Sequence, residues 1–200
     1  MIGICKLRNF SLGFLVSSLW SRTETSAGWS HARFNLHSVA TALMADLLAQ
    51  RMPVNYAEGA FTAGLLHDVG KLLLAIALPD EVTALMRSGG WIQASELALF
   101  GITHQELSVE ILEQWRLPVQ ILNAVEYHHQ PPGDPAQPTL ADLVALGNRY
   151  AVATGNELEE HQPGEIADAA AVLLGWGIDT HIPRIEAEFK TELEAVRSFF

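Results

Sequence analysis

The chain has 200 residues, a formal net charge of −11 and a mean hydropathy of +0.17, with 49% of its residues apolar. That size fits one domain, residues 1–200, with a real core, and the balance excludes both a disordered chain and a membrane-spanning one. The acidity speaks against a nucleic-acid partner, which needs clustered Lys and Arg, and favours a cytoplasmic protein that meets small molecules, cations or other proteins. Its single cysteine, Cys5, rules out an internal disulfide framework and fits a reducing compartment.

In chain order, "KLRNFSLGFLVSSLW" places Lys6 and Arg8 before a short apolar run, the outline of a signal peptide. No cleavage-type A-x-A follows and the run is too short to span a bilayer, so a core helix is the better reading. From there the period is helical throughout. "NLHSVATALMADLLAQ" carries His37, Ala40, Met44, Leu47 and Leu48 on one stripe. "AEGAFTAGLLHDVGKLLLAIAL" reads as one helix, apolar nearly all round and suited to a central position. Thr103 and Glu106 have capping-box spacing and open a helix that runs to Trp115. "LPVQILNAVEYHHQPP" starts near Pro118 and stops at Pro131 and Pro132. "TLADLVALGNRYAVAT" is a further helix closed by Gly155, followed by the acidic loop "ELEEHQPGE", the segment "GEIADAAAVLLGW" and an amphipathic C-terminal helix, "HIPRIEAEFKTELEAVRSFF". That last helix either binds a partner or packs on its own domain; Trp91, Trp115 and Trp176 are assigned to core or helix-junction packing. The expected fold is all-α.

The histidines carry the chemistry. His37 begins the apolar stripe of its helix; His104 sits in the first turn of another, in register with Leu107 and Ile111. His128 shares a face with Ile121 and Val125, and His129 flanks it. With the adjacent His67 and Asp68, these donors point inward from separate helices. Imidazole and carboxylate are the usual ligands of Fe, Mn, Zn and Ni, and one carboxylate can bridge two ions about 4 Å apart, as in phosphate-ester hydrolases. Lys71 lies a turn beyond the dyad, where its ammonium either meets a phosphate or pairs with a carboxylate. His31, His161 and His181 are assigned to ordinary hydrogen-bonded core.

"HSVATA" followed by "GLLHDVGK" resembles the first histidine and the His-Asp dyad of the HD superfamily of metal-dependent phosphohydrolases. More narrowly, "FNLHSVATA", "THQELSVEILEQWRLPVQILNAVEYHHQPP" and "LVALGNRYA" resemble the HDOD domain, a signalling relative of the HD-GYP phosphodiesterases. The resemblance implies an HD-type helical bundle, with His37, His67, Asp68, His104, His128, His129 and the residue at position 148 around the metals, and Asp68 and Lys71 in the catalytic roles. The start, "IGICKLRNFSLG", looks like the middle of such a domain. The family's leading helices are therefore expected to be missing, which would expose apolar surface for self-association.

Departures from the active pattern shape the functional expectation. Asn148 stands where the superfamily's closing aspartate is expected, and a neutral amide oxygen is a poor ligand for a transition metal. Asp142, six residues earlier on the same helix, faces roughly the opposite side. Arg33 stands where HD-GYP enzymes carry an extra glutamate, and no GYP motif follows "HHQPP". The set His37, His67, Asp68 and Asn148 is thus damaged, whereas Asp68, His104, His128 and His129 are intact. The expectation is an output or interaction domain of bacterial signal transduction that binds at most one ion firmly, or none, and partners other signalling proteins; the alternative is a phosphohydrolase acting on a nucleotide or cyclic dinucleotide.

Overall fold

The Ser30 hydroxyl accepts a hydrogen bond from the Arg33 N–H and so starts the first helix, α1 (His31–Ala49). The computed structural model describes residues 28–87, 90–130, 133–158 and 169–197, together with Ser11, Ser18, Glu24 and Thr25. The expectations for the N-terminal apolar run, Cys5, Pro131, Pro132, His161 and most of the acidic loop fall outside the described residues. A short 3-10 turn (Ala57–Gly59) leads into α2 (Ala60–Leu66) and α3 (Val69–Ala77). Two short helices follow, α4 (Pro79–Arg87) and α5 (Gln93–Phe100), which the hydrophobic period does not single out. Next come α6 (His104–Gln114), α7 (Val119–Tyr127) and α8 (Leu140–Ala153). Two 3-10 turns (Ala169–Leu173 and Asp179–His181) then precede α9 (Ile182–Arg197). Among the described residues there is no strand.

Local chemistry explains most boundaries. Thr103 and Glu106 form the expected reciprocal cap of α6, and Thr139 with Asp142 forms an equivalent one at α8. Gly155, with φ of +74°, follows the C-cap of α8 in the left-handed region that an L side chain avoids. Pro118 is the N-cap of α7 rather than its first helical residue.

The central element is α1. Its stripe widens until Phe34, His37 and an almost unbroken run from Ser38 to Leu48 are buried, because α8, α2 and α9 cover it from different sides. The larger core joins Leu43, Leu47, Leu143 and Leu146 to Ile185, Phe189 and Leu193 of α9. The C-terminal helix therefore spends its apolar face on its own domain. A second core of Ala63, Leu66, Leu112, Ile121, Val125 and Val144 lies beneath the His-Asp dyad. Glycines let the backbones close up around it: a Cβ on Gly64 would lie 2.6 Å from Ala42 Cα, and one on Gly70 would lie 2.1 Å from the carbonyl oxygen of His104. Residues Ala57–Ala77 are long and apolar enough to cross a membrane by length and composition, yet 78% of that window is buried within the fold. It is a core segment.

Candidate metal centre

The site is built on a break in that core segment. His67 keeps helical dihedrals (φ −55°, ψ −35°), but Asp68 leaves them (φ −108°, ψ 14°) before α3 begins. Neighbours on a continuous helix project about 100° apart. Here the interruption lets both converge, with His67 Nε2 3.4 Å from Asp68 Oδ2. The single helix expected across "GLLHDVGK" is corrected to two helices with the dyad at their joint.

Four imidazoles surround the Asp68 carboxylate. His37 Nε2 lies 3.6 Å from Oδ2, while the Nε2 atoms of His104 and His128 lie 3.3 and 3.4 Å from Oδ1. Each ring is held from behind. The Nδ1–H groups of His37, His67 and His128 donate to the carbonyls of Asn156, Gly64 and Val125 at 2.8, 2.8 and 2.6 Å. His104 Nδ1 donates to the Glu96 carboxylate at 2.8 Å. A carbonyl or carboxylate oxygen only accepts, so Nδ1 carries a proton in each ring, and the neutral form of each turns its Nε2 lone pair inward.

This is the chemistry of a cation site. His37 Nε2 and His67 Nε2 face each other at 3.3 Å with both Nδ1 protons already committed, so in the neutral rings two lone pairs oppose each other. Asp68 Oδ1 and His128 Nε2 are buried without a hydrogen-bond partner among the described residues. Orphaned buried acceptors are costly, and a divalent ion would satisfy them together. The donors fall into two sets that share Asp68. One is His37, His67 and Asp68; the other is Asp68, His104, His128 and His129. In each, the donor atoms lie within 4.8 Å of one another. The residues present fit a transition metal.

The protonation states agree. Burial pushes the His67 imidazole down from its ordinary value despite the neighbouring Asp68 charge, and pushes His128 down to about 4. Both are neutral, the form that binds metal. Burial works to raise the Asp68 carboxyl, but the Lys71 ammonium 2.8 Å from Oδ2 opposes it, and the group stays well below the usual carboxylate range.

The remaining predicted positions divide. Lys71 is buried and donates to Asp68 Oδ2 at 2.8 Å, with its ammonium 5.9 Å above the Trp91 ring. It takes the carboxylate-pairing alternative. His129 belongs to the second donor set, with its Nε2 3.1 Å from His104 Nε2, but it is exposed at the rim rather than turned inward. Asn148 is buried in α8, and among the described residues no hydrogen bond joins it to the cluster. Asp142 is committed to capping: it accepts from Thr139 N–H and Oγ1–H, and from the Gly133 N–H. His181 and Trp115 are exposed rather than core, because each sits at the end of an element. Sequence reasoning missed Glu96, which is fully buried. The only signal was a carboxylate inside the short apolar stretch "SELALF", eight residues before His104.

Fold and centre together define an HD-like helical domain with a His/Asp donor cluster at the middle of its core. The chain belongs to the HDOD domain family, whose profile matches residues 1–131. Similar folds occur in an HDOD domain protein from Geobacter sulfurreducens (TM-score 0.74, 22% identity, 99% of this chain and 72% of that one). They also occur in a "Putative signal transduction protein" from Marinobacter aquaeolei (0.69, 22%, 100% and 46%). A third is a "Putative phosphohydrolase" from Shewanella amazonensis (0.67, 18%, 96% and 73%). Ribonuclease Y of Aquifex aeolicus is 24% identical over 94% of this chain, which spans 35% of that protein's length.

Proposed function

We propose that this chain is an output or interaction domain of bacterial signal transduction, built on a metal-dependent phosphohydrolase scaffold, with a retained metal centre and little or no hydrolysis. The ring of inward-facing Nε2 lone pairs around one buried carboxylate carries the metal part of this reading. Asp68, His104, His128 and His129 would hold one ion firmly, and the donor set suits Fe, Mn, Zn or Ni. Such an ion supplies Lewis acidity when bound. The chain's own residues supply little else for hydrolysis: Lys71 is tied to Asp68 rather than free for a phosphate, and position 148 offers an amide. The structural neighbour described as a "Putative signal transduction protein" supports an interaction role, with other signalling domains or a second copy as partner.

A working phosphohydrolase is the second reading, favoured by the division of the donors into two sets bridged by Asp68. Elemental analysis of protein purified without chelator, combined with a phosphodiesterase screen on bis-p-nitrophenyl phosphate and cyclic di-GMP, separates the two. The expected result is about one metal per chain and no turnover above background with added Mn or Fe. Turnover that Asp68→Ala abolishes would establish the enzyme instead.

A further inference from the structure

Glu96 is fully buried on α5, and both of its partners belong to one residue. Its carboxylate accepts from the His104 backbone N–H at 2.7 Å and from His104 Nδ1–H at 2.8 Å. A carboxylate is expensive to bury without such bonds. Both oxygens take N–H donors of His104 and no acceptor among the described residues faces them, the arrangement of a charged carboxylate. The other three inner imidazoles lean on neutral carbonyls. Among the described residues the centre is therefore asymmetric: only His104 has a second carboxylate behind its ring.

A carboxylate behind a metal-bound imidazole fixes the tautomer, holds the ring plane and makes Nε2 a stronger donor. Glu96 does this only for His104, and the lone pair it enforces points at Asp68 Oδ1 and His129 Nε2. Lys71 pairs with Asp68 Oδ2, the oxygen that also faces His37 and His67, and leaves Oδ1 to His104 and His128. We infer that Glu96 is a positioning residue that makes the Asp68, His104, His128 and His129 set the tighter of the two, so that the first metal equivalent enters there. This rests on the metal-binding reading above and assigns the order in which its donor sets fill.

The test uses the metal-free full chain titrated with Zn(II), followed by calorimetry and by 15N spectra of the histidine side chains. With the first equivalent, Nε2 of His104 and His128 should shift to metal-bound values while His37 and His67 stay unchanged. Glu96→Gln keeps an acceptor for Nδ1–H but removes the charge. It should weaken the first equivalent by about 10–100-fold and move the His104 Nδ1 proton resonance upfield, with the helical circular dichroism unchanged. If the variant does not fold, the wild-type spectra still decide. First-equivalent shifts at His37 and His67, or equal Zn(II) affinity in wild type and Glu96→Gln, overturn this inference. Absence of any Zn(II) binding by wild type overturns the metal reading beneath it.

Discussion

Gly70→Ala is the sharpest probe of how this backbone builds the centre. The added Cβ would lie 2.1 Å from the His104 carbonyl oxygen, 2.9 Å from its carbon and 2.8 Å from Ser108 Oγ. Two of those atoms are backbone at the first turn of α6 and cannot rotate away. Helices α3 and α6 must therefore part by about 1 Å to relieve the clash. That motion also strains the buried bond from Gly70 N–H to Ser108 Oγ, now 2.8 Å. Overpacking costs about 1–3 kcal/mol and an orphaned buried donor about 1–3 more, so a destabilisation of about 2–6 kcal/mol is expected. Because His104 rides on the displaced turn, its Nε2 would leave the position set by Asp68 Oδ1. Metal bonds tolerate only about 0.2 Å. Urea unfolding of the metal-free protein and a Zn(II) titration measure the two effects. A variant within about 0.5 kcal/mol of wild type and with undiminished metal affinity would refute the claim that Gly70 sets the α3–α6 spacing at the site.

Three further outcomes are expected. In the metal-free protein His128 titrates near 4 against an ordinary 6.5, so the unfolded chain takes up a proton first as the pH falls. The stability present above pH 6.5 is then lost progressively toward about pH 4, read as a falling Tm across that window; an unchanged Tm there would argue against neutral buried histidines. Zn(II) at about a hundred times its Kd should stabilise the fold by about 2.7 kcal/mol, reversed by EDTA, whereas a Tm indifferent to metal would contradict a native-state site. Asn148→Asp should raise metal content from about one toward two per chain by restoring a carboxylate, without strong hydrolysis; equal content in both proteins would show that residue 148 does not serve the centre.

Those residues that combine a strong local signal with a strong environmental one were legible. The Thr103–Glu106 box and the inward register of His37, His104 and His128 follow from helical spacing alone. The joint at His67–Asp68 was not legible, because the apolar period runs through it uninterrupted. Only the convergence of side chains from α1, α6 and α7 shows why the helix must turn there. Glu96 escaped for a related reason. Helix α5 is short and weakly periodic, and a carboxylate on it looks solvated until the fold brings His104 against it. The exposure of His129 and Trp115 reflects their places at helix ends, where a one-residue shift in the boundary turns a side chain outward.

The central claim is that the Asp68 cluster is a metal centre, and anomalous diffraction tests it at the atom. Crystals of the protein purified without chelator, or loaded with one equivalent of Zn(II), should show one anomalous peak bonded to Asp68, His104 and His128. Ordered density for those residues with no anomalous peak beside them, at full Zn(II) loading, would contradict it.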